Sequence, residues 1–219
     1  MGTERILVSL IHYPLYVLGP GRRVGLWTQG CTIHCKGCMS IHTWEFDESK
    51  AVDIDELAQM LSDFNCNKLT ISGGEPFDQA SSLLSLLRKV RGKFSDILVY
   101  TGYKFETLLE KYPEHFEYID AIVDSPFIEG MESEYVYKGS DNQRLFVLNK
   151  DLQEEYDEWM NRQKDGYLQI KVKDNALFII GIPYQKDLER IRKSVEQQFS
   201  KLASEQIKGF EPSRGEEDE

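Results

Sequence analysis

Nowhere in the 219 residues does an apolar run approach the roughly 20 needed to cross a bilayer. No membrane-spanning helix is therefore expected. The opening residues, Met1 to Arg5, have neither the basic nor the apolar stretch of a secretory leader. Met1-Gly2 also falls short of a myristoylation start, because Ile6 stands where Ser or Thr is required. A cytoplasmic location follows as an expectation. Basic residues are scarce: 26 Lys and Arg against 37 Asp and Glu leave a net charge of −11. That balance argues against holding a nucleic acid through a diffuse basic surface, but it leaves room for a small ligand. Repeats and low-complexity linkers are missing, so one domain, or one domain with an appendage, is expected at this length. Cysteines number only four.

Three of those four share one loop, Gly30-Cys31-Thr32-Ile33-His34-Cys35-Lys36-Gly37-Cys38, at the spacing C-x3-C-x2-C. A disulfide would leave one sulfur over, so this crowding points to a metal. Zinc would want a fourth protein ligand, with His34 and His42 the nearest candidates. A 4Fe–4S cluster held by three cysteines keeps one iron open to a small molecule. Gly30 and Gly37 let the backbone wrap closely around such a cube. The fourth cysteine, Cys66, stands alone and reads as a buried free thiol.

A second stretch, Lys68-Leu69-Thr70-Ile71-Ser72-Gly73-Gly74-Glu75-Pro76, reads as a buried strand, a glycine turn and a helix start. In this order and at this distance the two stretches resemble the radical S-adenosylmethionine (SAM) enzymes. The resemblance implies that Cys31, Cys35 and Cys38 ligate a 4Fe–4S cluster whose open iron chelates SAM. One electron from the reduced cluster would release methionine and a 5′-deoxyadenosyl radical. It further implies SAM contacts at Gly37, Cys38, Met39, Gly73, Gly74, Glu75, Thr101 and Asp124. Glu75 can equally serve by fixing the turn, and Thr101 and Asp124 by capping strand ends. Arg22, Arg23 and Lys36 lie near the cluster loop in sequence and would suit an acidic electron donor, flavodoxin- or ferredoxin-like.

Hydrophobic periodicity fills in the rest. A loosely alternating edge strand is expected at Arg5–Ile11, with strands at Val24–Thr28, Asn67–Ser72, Asp96–Thr101, Tyr118–Asp124 and Leu145–Leu148. Between them, Asp53 with Glu56 starts a helix in a capping-box arrangement, with Ile54, Leu57, Leu61 and Phe64 on one face. Leu83, Leu84, Leu87 and Val90 mark a second helix, and Phe105, Leu108, Leu109 and Tyr112 a third that Pro113 stops. Alternating strands and helices imply parallel pairing, and an open, partial β/α barrel of the radical SAM type is the expected closure. Cys31, Gly73-Gly74-Glu75, Thr101 and Asp124 each fall just past a strand's carboxyl end, the rim where ligands collect in such folds.

Residues 1–149 read as this core and 150–207 as an α+β extension packed on it near the substrate entrance. The extension comprises a helix through Leu152, Tyr156, Trp159 and Met160, and a hairpin of 166–173 and 176–182 around Asp174-Asn175. A closing helix through Leu188, Ile191, Val195, Phe199 and Leu202 follows. The polar tail, 208–219, reads as disordered.

The resemblance narrows further. Trp27-Thr28-Gln29-Gly30-Cys31, Cys35-Lys36-Gly37-Cys38 and Thr43-Trp44 are similar to the glycyl-radical-enzyme activases, within them most to the activators of anaerobic ribonucleotide reductase. Val99-Tyr100-Thr101-Gly102-Tyr103 and Gly139-Ser140-Asp141-Asn142-Gln143-Arg144 fit the same group. This implies an oxidoreductase that abstracts hydrogen from a glycine of a partner glycyl radical enzyme. Met39 and Asp124-Ser125-Pro126-Phe127 depart from that group's pattern. A maturase acting on a peptide or small molecule, including a carboxydeazaguanine synthase-like enzyme, stays open as the alternative. So does an iron–sulfur module without catalysis.

Overall fold

The computed structural model describes residues 4–173 and 176–208, with Lys173 and the stretch 198–208 as backbone only. The expected Asp174-Asn175 turn, the side chains of Phe199 and Leu202 and the tail 209–219 lie outside the described residues. Two compact units result, residues 1–182 and 183–219.

The first unit is built on a seven-stranded sheet. Its strands are β1 (Arg5–Leu15), β2 (Arg23–Thr28), β3 (Ala51–Asp53), β4 (Lys68–Gly73), β5 (Asp96–Tyr100), β6 (Ala121–Asp124) and β7 (Arg144–Val147). They lie in the order β3-β1-β2-β4-β5-β6-β7. The central four, β2-β4-β5-β6, are parallel, while β1 and β7 flank them antiparallel and β3 runs antiparallel to β1. The fold is therefore mixed α/β with a mostly parallel central sheet. The expected edge strand at Arg5–Ile11 is not an edge: β1 runs on to Leu15 and lies between β3 and β2. Its outer neighbour, β3, has only three residues, too few to show a period in sequence.

Because successive strand residues face opposite sides, the sheet buries two apolar surfaces. On one, Val24, Leu26, Leu69, Ile71, Ile97, Val99 and Ile122 join Ile54, Leu57 and Leu61 of α1 (Ile54–Ser62) and Leu83, Leu86, Leu87 and Val90 of α2 (Ala80–Val90). Leu86, rather than the expected Leu84, completes the α2 stripe, because it falls three residues after Leu83 and four before Val90, on one face of the helix. Asp53 caps α1, its Oδ1 accepting from the amides of Asp55 (2.8 Å) and Glu56 (3.2 Å). A cap contributes about 1 kcal/mol, whereas each buried Leu or Ile contributes about 1.5–3 kcal/mol. The apolar face, more than the cap, holds α1. α3 (Phe105–Lys111) seats Leu108 on the same surface but leaves Leu109 exposed.

On the opposite surface, Leu98, Ala121 and Val123 meet Tyr156 and Trp159 of α4 (Gln153–Met160). A hairpin of β8 (Gln169–Lys173) and β9 (Ala176–Ile180) adds Phe178 and Ile180 to a cluster with Leu10, Leu15, Leu18 and Trp27. Beneath these clusters lies Arg23, fully buried at the amino end of β2. Its guanidinium donates to Asp96 (2.5 and 2.9 Å), to Thr70 Oγ1 (2.7 Å) and to the Leu69 carbonyl (2.8 Å). The Tyr156 hydroxyl completes Asp96 at 2.6 Å. Removing one partner from such a buried pair costs about 3–5 kcal/mol, so Arg23 is structural and cannot dock a donor.

In the second unit, α5 (Gln185–Lys208) carries Leu188, Ile191 and Val195 along one stripe, with Asp187 in its first turn.

Candidate functional site

Parallel register brings Thr28, Gly73, Tyr100 and Asp124, the last residues of β2, β4, β5 and β6, to one end of the sheet. The loops that follow form the site. The first, after β2, carries the three cysteines; all are free thiols, Cys31 buried and Cys35 and Cys38 half-buried. Left-handed backbone at Gly30 (φ 98°), His34 (φ 51°) and Gly37 (φ 77°) curls this loop back on itself. Burial pushes the Cys31 thiol up, opposed by the amides of His34 and Ile33, which face its sulfur. Burial also raises Cys35, opposed by the Phe127 amide and reinforced by the Cys38 and Cys31 thiols nearby. The Ser40 amide donates to Cys38 Sγ at 3.3 Å.

Among the described residues, no three His, Cys, Asp or Glu side chains gather as the ligands of a single ion do. His34 instead stacks on Trp44 at 4.6 Å, and His42 meets the edge of Phe178 at 5.6 Å. Cys66 Sγ faces the Arg22 carbonyl at 3.1 Å, beside the amino ends of β2 and β4. The length of a six-residue strand, about 20 Å, separates it from the cluster loop. It is half-buried rather than buried. What the loop offers is three thiols within eight residues, those of Cys31 and Cys38 near enough to Cys35 to act on it, with backbone amides aimed at their sulfurs, a donor set that fits an iron–sulfur cluster with one iron free of protein ligands.

The second loop, after β4, is pressed against the first. The Glu75 amide donates to the Gly30 carbonyl (2.9 Å) and the Gly74 amide to the Thr28 carbonyl (2.9 Å). A Cβ at Gly74 would collide with the Gly30 carbonyl, and one at Gly73 (φ 111°) with the Thr28 backbone. Glycine is needed here first for this packing. The Glu75 carboxylate is fully buried and accepts from Thr101 Oγ1 (2.8 Å), the Gly102 amide (2.7 Å) and the Phe77 amide (3.0 Å). Burial raises its pKa to about 7 despite those three donors.

Thr101 and Asp124, expected at the ligand, find their partners inside the protein. Thr101 Oγ1 donates to Glu75 and accepts from the Tyr103 amide at 3.1 Å. Asp124 accepts from the Phe105 amide (2.8 Å) and pairs with Arg144, which also grips Glu106. Both side chains act as rivets between loops. The loop after β6 turns at Ser125 (φ 77°) and lays Phe127 and Glu129 over Gly37, where a Cβ would meet each at 3.2 Å. Lys36 is exposed and paired with Glu129 at 2.7 Å. Met39 is half-buried in the turn after Cys38.

Two contributors escape a sequence reading. Gln79 holds β1 and the cluster loop together, its amide bonding Leu7 N–H (2.7 Å) and the Gln29 carbonyl (3.0 Å). Asp78 accepts from the Thr32 amide (2.6 Å), the Thr32 hydroxyl (3.0 Å) and the Tyr103 hydroxyl (2.6 Å). Their proximity to Glu75 in sequence is the one signal that pointed to them.

The family described as "4Fe-4S single cluster domain" matches residues 17–146, a span that holds both loops. The anaerobic ribonucleoside-triphosphate reductase-activating protein of Enterobacteria phage T4 is 36% identical over 143 residues, 61% of this chain and 90% of the relative. That of Haemophilus influenzae is 34% identical over 145 residues, 61% of this chain and 94% of the relative. Among solved structures, QueE from Escherichia coli matches 46% of this chain and 52% of its own, at 21% identity and a TM-score of 0.32, which carries no argument.

Proposed function

The chain belongs to the 4Fe-4S single cluster domain family and, within it, to the anaerobic ribonucleoside-triphosphate reductase-activating proteins; on that footing we propose that it is a radical SAM oxidoreductase that activates a glycyl radical enzyme. The observation that carries the proposal is the pressing of the Gly73-Gly74-Glu75 turn onto the loop of Cys31, Cys35 and Cys38. When bound, a 4Fe–4S cluster would supply the electron that splits SAM into methionine and a 5′-deoxyadenosyl radical, and that radical would take a hydrogen from a glycine of the partner.

This chain's residues do the holding. Cys31, Cys35 and Cys38 ligate the cluster and, being three, leave one iron free. Gly37, Cys38, Met39 and the backbone of Gly73-Gly74 line the place for SAM. Glu75, Thr101 and Asp124 keep that place in shape by tying the strand-end loops together. We read the sheet, with its two free edges, as a partial barrel. Residues 1–149 are its radical SAM core and 150–207 a C-terminal extension. Lys36, exposed on the cluster loop, suits a flavodoxin- or ferredoxin-like electron donor, in a cytoplasm that keeps thiols reduced.

Anaerobic reconstitution tests this reading. About four irons per chain are expected, unchanged in Cys66→Ala and lost in Cys35→Ala. Reduced protein with SAM and a co-encoded glycyl radical enzyme should give a carbon-centred radical signal on that partner. Deuterium passing from a small molecule into 5′-deoxyadenosine, with no signal on the partner, would refute it.

A further inference from the structure

We infer that Asp78 is a positioning residue for the cluster, acting on Cys31 through Thr32. The 3-10 turn Pro76–Gln79 follows Glu75 and aims two carboxylates, three residues apart, at different loops. Glu75 takes the loop after β5, whereas Asp78 takes the cysteine loop itself. Asp78 Oδ2 accepts from the Thr32 amide, and its Oδ1 accepts from the hydroxyls of Thr32 and Tyr103. Thr32 is the residue after Cys31, and the next two amides, Ile33 and His34, are those facing the Cys31 sulfur. Where Thr32 is pinned, those donors are aimed.

Asp78 also brings charge. Among the described residues no Lys or Arg forms an ion pair with it. Its negative charge therefore stands uncompensated one residue from a cluster ligand. Net charge and hydrogen bonds to the sulfurs are two of the protein's levers on a cluster's reduction potential, and Asp78 works both.

Two substitutions separate the levers. Asp78→Asn keeps a polar group against Thr32 and removes the charge; Asp78→Ala removes both. In metal-free protein, amide exchange at residues 32–34 should quicken at least tenfold in Asp78→Ala. It should stay within about threefold of wild type in Asp78→Asn, with Tyr103→Phe in between. Global unfolding, read by thermal melting, should shift little in Asp78→Asn and Tyr103→Phe, so a collapsed Asp78→Ala would not end the test. In reconstituted protein, Asp78→Asn should bind wild-type iron with a reduction potential shifted upward. Unchanged exchange at 32–34 in Asp78→Ala and Tyr103→Phe would overturn the tether. An unshifted potential in Asp78→Asn would overturn the charge. The inference rests on the proposed function only for the cluster's identity. If wild-type protein takes up no iron, that reading fails while the exchange result still judges Asp78.

Discussion

Glu75 ties two strand-end loops together from a buried position. Its carboxylate is buried and caught by three donors from two loops. Burial still lifts its pKa from 4.5 to about 7. A folded-state value above the unfolded one means that this group's contribution is fully present below about pH 4.5. It is lost as pH rises through about 7. Other carboxylates oppose the trend, Glu106 beside Arg144 being held down at about 2. The measurement is therefore a difference. Denaturant unfolding of wild type minus Glu75→Gln should fall steadily from pH 4.5 to 7 and level off above it. A flat difference would place the residue's titration elsewhere.

At the scale of elements, the strand-end loops behave as one interlocked unit. Gly74 fits only because it lacks a side chain against the Gly30 carbonyl. Gly74→Ala should therefore lower iron uptake together with SAM binding, measured by iron per chain and by equilibrium dialysis. Normal iron with lost SAM binding would make ligand approach, rather than packing, the main reason for glycine. Both loops were legible in sequence because their residues are local: three thiols in eight positions, and a glycine pair after an apolar strand. The pairing between them was legible only as an order along the chain. Arg23 misled for the same reason. A cation beside the cluster loop in sequence reads as surface charge, and its partner Asp96 lies 73 residues away. Nothing in local periodicity announces a buried ion pair. Nor does it announce β3, which exists because β1 offers it an edge.

For the whole molecule, the family match ends at residue 146 but the buried apolar packing does not. Tyr156 is fully buried and bonded to Asp96, and Trp159 packs beside it. A protein cut after residue 182 should keep a cooperative melt close to wild type, since residues 1–182 form their own compact unit. One cut after residue 149 should lose that transition, by removing a partner from a buried charge as well as two aromatic side chains. A cooperative melt in the shorter protein would make α4 a surface addition.

The Tyr156–Asp96 bond also orders events during synthesis. A ribosome releases β2, β4 and β5, and with them Arg23 and Asp96, well before it releases α4. Until residue 156 emerges, Asp96 lacks the hydroxyl that completes it. The aromatic pair that shields the ion pair from water is also still to come. The nascent chain thus carries its cysteine loop ahead of a finished scaffold. Metal loading is best served after translation has passed α4, when Asp96 has its full set of partners.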